Sequence, residues 1–145
     1  MQDLPHHYHV SASAEADGNV TLKADDLPQI VTAPPAEFGG PGDQWSPETL
    51  LVGAIADCFV LTFRAIASAS KLEWIRLECS AEGVLERVER VTRFTAVTVR
   101  ATLTIPAGTD SEKAERLLEK SEEACLVTRS MLAESHLEAE IIVAD

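Results

Sequence analysis

Positive charge is scarce in this chain, which sets 12 lysines and arginines against 24 aspartates and glutamates for a net charge of -12. Lys23 is the only cation before Arg64, and the later ones are scattered. No basic stripe is therefore available to a phosphate backbone or an anionic headgroup, which excludes nucleic acid and membrane surface as expected partners. Aromatic residues are also few, at 5%, so the core must be filled by Leu, Ile, Val and Ala. The first ten residues hold Asp3, Pro5, His6, His7 and His9 and lack the apolar stretch of a secretory signal. No uninterrupted apolar run approaches the roughly 18 residues of a membrane span. The cysteines, 58, 79 and 125, are odd in number and far apart, which fits neither a disulfide framework nor a zinc site. The expectation is a cytoplasmic protein without metal or other cofactor, whose cysteines are either core filler or reactive.

What is present suffices for one packed core. With 145 residues and 46% hydrophobic content, the chain reads as a single domain over residues 1–145. Tyr8, Val10, Ala12, Ala14 and Ala16 alternate with polar residues, Asp17-Gly18 turns the chain, and Val20, Leu22 and Ala24 alternate again. This is a strand, a tight turn and a strand. Ile30-Val31 suggests a short third strand, and residues 32–45, rich in Pro and Gly, read as a loop. Ser46-Pro47-Glu48 then combines a hydroxyl cap, a proline at the first helical position and an acid facing the positive end of the helix dipole. The helix so opened runs from Leu50 to about Ala69 and is apolar on nearly every side, which predicts a buried central helix.

Beyond Lys71 the period becomes two. Ile75, Leu77, Cys79, Ala81 and Leu85 share one strand face, and Val97, Val99, Ala101, Leu103 and Ile105 share another, with an antiparallel hairpin expected around residues 88–93. Thr109 with Glu112 matches a capping box. The helix it opens carries Ala114, Leu117, Leu118, Ser121, Ala124 and Cys125 on one stripe and ends near Cys125. Thr128 is placed to cap a short helix over 129–134, and Leu137, Ala139, Ile141 and Val143 form a last strand. The fold class is α+β.

Taken singly, each cysteine has a packing explanation. Cys58 lies within the apolar helix, Cys125 on an apolar stripe and Cys79 on the inner face of a strand, and a free cysteine behaves as a small hydrophobe. The surrounding segments alter this for two of them. Trp45-Ser46-Pro47-Glu48-Thr49-Leu50-Leu51-Val52-Gly53-Ala54-Ile55-Ala56-Asp57-Cys58-Phe59 resembles the signature of the OsmC/Ohr family, a Pro-Glu helix start followed by small and apolar residues and then a cysteine ten positions after the glutamate. Glu122-Glu123-Ala124-Cys125-Leu126-Val127-Thr128 is similar to the second marker of that family, a glutamate-rich helix that runs into a cysteine and then a hydroxyl residue. The order of elements agrees along nearly the whole chain. Cys79 is left to the core.

This resemblance implies antiparallel sheets wrapped around a long buried central helix, in an intertwined homodimer with two sites at the subunit interface. It also implies a thiol-dependent peroxidase acting on organic hydroperoxides, with Cys58 as the attacking thiol, Cys125 as its disulfide partner, Glu48 as the third site residue, and a small dithiol or a lipoyl-bearing protein as reductant. An OsmC-fold ligand-binding or redox-sensing protein with little turnover is the alternative, for which the loop at 34–42 with Phe38 would line an apolar pocket beside Cys58.

The peroxidase needs a thiolate near neutral pH, whereas an ordinary cysteine ionises near pH 8.5. Cys58 is about three turns into its helix, beyond reach of the dipole at its start. A cation is therefore expected beside it. In the family an arginine from the N-terminal strands fills that role, held by the residue that aligns with Glu48, but no arginine precedes Arg64 here. His7 and His9, on the polar face of the first strand, and Arg64 and Arg129 are the alternatives. Asp57 would oppose ionisation if it faced the sulfur. Ten helical residues advance by about 15 Å, so Glu48 and Cys58 of one straight helix cannot touch, and a shared site requires a bridging side chain or a second subunit.

Overall fold

The computed structural model describes residues Met1–Asp145. Their order is β1 (Ser11–Ser13), β2 (Val20–Lys23), β3 (Ile30–Thr32), α1 (Pro47–Ala69), β4 (Arg76–Val88), β5 (Val91–Ile105), α2 (Ser111–Ala124), α3 (Leu126–Arg129) and β6 (Glu134–Val143). The class is α+β, as expected. The backbone separates into two compact units, Met1–Leu51 and Val52–Asp145, with α1 beginning in the first and running through the second.

The first unit is a three-stranded antiparallel meander, β1-β2-β3. The alternation expected from Tyr8 to Ala16 yields only Ser11–Ser13, all exposed. A strand made of Ser, Ala and Glu has no large side chain to bury, and backbone pairing alone extends it little. A single 3-10 turn, Ala36–Phe38, interrupts the expected loop. Ser46 opens α1 through a reciprocal cap: its Oγ accepts from the Thr49 amide at 3.1 Å while its own amide donates to Thr49 Oγ1 at 2.8 Å. This is the logic of the capping box with Thr in place of Glu.

In the second unit β4 and β5 form a long hairpin joined by Glu89 and Arg90, at φ 50° and 70°. Two consecutive left-handed residues make the two-residue turn whose twist suits paired strands. The register slips between Val84 and Leu85, so that Thr95 bulges out between the partners Ala96 and Phe94. Beside the bulge, a Cβ on Gly83 would lie 2.9 Å from both Phe94 and Val52. Only glycine lets the strand approach the helix that closely.

Three expectations need correction. The last strand, β6, pairs with β5 in parallel, so the sheet β4-β5-β6 is mixed and not antiparallel throughout. Alternation along a strand reports its faces and not its direction. Thr109 does not cap α2: Asp110 does, accepting from the Lys113 amide at 3.1 Å. The third helix begins directly after Cys125, so Thr128 lies inside it and donates to the Cys125 carbonyl at 3.0 Å.

The core of the second unit is one cluster. Ile55, Phe59, Phe63 and Ala67, spaced by four, form the buried stripe of α1; Val97, Val99, Ala101, Leu103 and Ile105 alternate inward along β5; Ala114, Leu117 and Leu118 come from α2. Trp74 stands edge-on to Phe63 with ring centroids 5.4 Å apart. Helix α1 is thus buried along one stripe and not all round, and Leu51 and Leu61 are 37% and 50% exposed. By length and composition alone this helix could cross a membrane, with a mean hydropathy of 1.9 over its best 18-residue window. Core helices pass the same test, and Asp57 and Arg64 interrupt its apolar run.

Candidate active site

Cys58 sits about three turns into α1, one position before the buried Phe59, and is only partly buried. That offset from the core stripe turns its sulfur toward a shallow pocket in the second unit. The pocket, about 530 Å³ in volume, is walled by Ala54, Leu61, Ala65, Ile66, Ala124, Leu126 and Val127, with Asp57, Cys58 and Thr62 as its polar-capable members. Its surface is therefore mostly hydrocarbon.

Cys125 reaches the same place from the other side. Helix α2 ends on it and α3 starts from it, so Cys125 alone, at φ -64° and ψ 109°, takes extended backbone between two helical segments. Its thiol is 1% exposed. The break points the amides of Leu126 and Val127, which open α3 and have no partner within it, at the Cys58 sulfur. All three cysteines are free.

These neighbours decide the acidity of Cys58. Burial pushes its pKa up and is the largest single influence, but the Val127 amide, the Cys125 thiol, the Thr62 hydroxyl and the Leu126 amide all hydrogen-bond the sulfur and together carry the pKa below the ordinary value. The Thr62 contact spans 3.8 Å between Sγ and Oγ1. No charged side chain is among these groups within the single chain, and it is aligned donors that lower the pKa. Asp57 and Arg64 are exposed, as is Arg129 at the far end of α3. His7 and His9 are exposed as well.

Cys79 is in the opposite condition. It packs against the core from β4, and burial pushes its thiol up to about 11. It stays protonated near neutral pH, in keeping with its assignment to the core.

Glu48 belongs to the first unit and to a separate apolar pocket of about 430 Å³, shared with Leu22, Pro35 and Phe38. The 34–42 loop lines an apolar pocket, but in the company of Glu48 and not beside Cys58 as expected, since the Cys58 pocket is lined by residues of α1, α2 and α3 alone. The carboxylate oxygen Oε1 is buried there without a hydrogen-bond partner. A buried, unpaired carboxylate oxygen is costly and marks a place where a donor is wanted.

The structure brings Cys58 and Cys125 together, and it adds Thr62 and the amides of Leu126 and Val127, which sequence reasoning missed. Thr62 was accessible in principle, since position i+4 on a helix shares a face with Cys58. The amides were not, because they are presented by a chain break at Cys125 that apolar periodicity does not reveal.

Residues 40–140 match the family model for OsmC-like protein. The chain belongs to the OsmC-like family. An uncharacterized Bacillus subtilis protein, YmaD, is 26% identical over 143 residues, 95% of each chain. Among solved structures, an OsmC-like protein of unknown function from Vibrio cholerae superposes with a TM-score of 0.84 at 18% identity, covering 93% of this chain and 99% of that one. An organic hydroperoxide resistance protein OsmC from Legionella pneumophila superposes with a TM-score of 0.75 at 23% identity, covering 97% and 99%.

Proposed function

We propose that this OsmC-like chain is a cysteine-dependent peroxidase of organic hydroperoxides. The observation that carries the reading is the Cys58 sulfur, partly exposed in an apolar pocket, with its pKa lowered by four hydrogen bonds, one of them from the buried Cys125 thiol. An apolar wall favours the organic part of a hydroperoxide, and a stabilised thiolate is the species that attacks. The organic hydroperoxide resistance protein from Legionella pneumophila shares the fold.

In the first step the Cys58 thiolate attacks the outer peroxide oxygen. An S–O bond forms, the O–O bond breaks, and the alkoxide takes a proton from water to leave as the alcohol. Cys58 is then a sulfenic acid. Cys125 attacks its sulfur, water departs, and a Cys58–Cys125 disulfide remains. A dithiol, small or carried as lipoyl on a protein, restores both thiols by two exchanges. The reading includes a cytoplasmic location and a homodimer, for which the uncovered apolar side chains Leu51, Leu61 and Leu126 supply surface. In that homodimer Glu48 would meet the Cys58 of a second copy.

One equivalent of cumene hydroperoxide should remove two thiols per chain, mapped by mass spectrometry to Cys58 and Cys125 with Cys79 intact. Cys58→Ser should abolish turnover with dithiothreitol. Full turnover by that variant would sink the proposal. A second reading, a ligand-binding or redox-sensing protein with little turnover, is favoured by the unpartnered Glu48 oxygen in its apolar pocket. Slow peroxide consumption together with saturable binding of an apolar probe would select it.

A further inference from the structure

The pocket around Cys58 has few groups able to donate a hydrogen bond. Ala, Leu, Ile and Val make up most of its wall, and Asp57, when ionised, only accepts. Apart from the cysteines, Thr62 is the side chain that can donate there. Its orientation is the second observation. Helical hydroxyls commonly turn back to the carbonyl four residues earlier, as Ser121 does to Leu117 at 2.6 Å and Ser130 to Leu126 at 2.7 Å in this chain. Thr62 instead directs Oγ1 to the Cys58 sulfur, 3.8 Å away and one turn earlier on α1.

The geometry points to Thr62 as the residue that holds the Cys58 thiolate in its attacking position and then hydrogen-bonds the oxygen that leaves. This rests on the peroxidase reading and names the side chain that serves it. Before the reaction, the hydroxyl donates to the thiolate. As the sulfur bonds to the outer peroxide oxygen it loses its negative charge, and that charge appears on the alkoxide when the O–O bond breaks. The hydroxyl, freed from sulfur, is then close to the new charge as the one donating side chain of the wall besides the cysteines, beside the Leu126 and Val127 amides, and the alkoxide takes its proton from water. Bonds made and broken are those of the first step above, so no further reactant is required. A donor that follows charge from one atom to the next raises the thiolate fraction without penalising the transition state, which is why its loss lowers kcat/KM.

The test compares Thr62→Val, which keeps the branched shape and removes the hydroxyl, with Thr62→Ser, which keeps the hydroxyl. Two readouts are taken on the full chain: the pH profile of Cys58 alkylation by iodoacetamide, and kcat/KM for cumene hydroperoxide. Thr62→Val should move the alkylation profile to higher pH and lower kcat/KM by about tenfold, less than the roughly 10²–10³ of a lost oxyanion-hole donor because this pocket is open to water, while Thr62→Ser stays near the wild type in both. An unchanged alkylation profile in folded Thr62→Val would overturn the role, as would equal losses in both variants, which would mean that shape alone matters. A wild-type protein that consumes no peroxide refutes the peroxidase reading instead, and the alkylation profile then still decides whether Thr62 holds the thiolate.

Discussion

Replacing Leu126 by proline removes one backbone donor from Cys58 while leaving the helix behind it in place. Leu126 is the first residue of α3, where proline is well tolerated because the amide has no intrahelical partner and φ is already helical. The preceding residue, Cys125, is extended at ψ 109°, the backbone that a following proline demands. The Leu126 side chain is 69% exposed, so its loss costs little packing. What disappears is a hydrogen bond to a charged acceptor, typically worth about 1.5–3 kcal/mol. The pocket is open to water and Leu126 is one donor among four, which argues for the low end, or roughly a tenfold smaller thiolate fraction at a pH below the midpoint. The less stabilised thiolate is also more nucleophilic, with a Brønsted slope of about 0.4–0.5, which returns nearly half of the loss on a logarithmic scale. Alkylation of Cys58 at pH 6 should therefore slow by about threefold to fourfold. The assay is iodoacetamide labelling with peptide mapping, run beside Leu126→Ala, which loses the same side chain but keeps the amide. If both variants label at the same rate with native circular dichroism, the claim that these amides activate the thiol is wrong.

Two further outcomes follow from burial. Phe59→Ala, at a site 1% exposed in the central stripe of α1, should cost about 3–5 kcal/mol in urea unfolding; a loss below about 1 kcal/mol would show that α1 does not organise the core. Cys79 should resist labelling at pH 8 in the native protein and react only after unfolding. Its folded pKa of about 11 lies above the ordinary thiol value of 9.0, so the unfolded chain ionises first and stability should fall as pH rises from 9 towards 11. The wild type should thus lose more stability over that interval than Cys79→Ala does, and parallel alkaline curves would contradict the assignment.

Much of this protein was legible because its sequence signals are local. Ser46-Pro47-Glu48 announced α1 at the residue where it starts, and the alternation from Val97 to Ile105 identified the inward face of β5. Cys58 and Cys125 were found through the segments around them, since neither is distinguishable from core cysteine by its own position. What escaped depends on partners distant in sequence. The direction of β6 is decided by how the chain crosses back from β5, which a run of Leu, Ala, Ile and Val does not encode. The one-sided burial of α1 follows from how little the rest of the chain covers, and its composition suggested burial all round. The donors at Cys58 were missed because a sequence displays side chains, and a search for charged ones overlooks amides exposed by a break between helices.

The parallel pairing of β5 with β6 bears on when the site comes into being during folding. Parallel neighbours need a crossover connection, and here α2, Cys125 and α3 are that connection. Helix α1 and the β4–β5 hairpin rely on contacts near in sequence and can assemble early, whereas joining β6 to β5 closes a longer loop and is expected later. Until it closes, nothing fixes the crossover amides at Cys58, and the sulfur behaves as an ordinary thiol. The nascent chain therefore carries no preactivated cysteine, and reactivity at Cys58 during refolding is a clock for the last strand to dock.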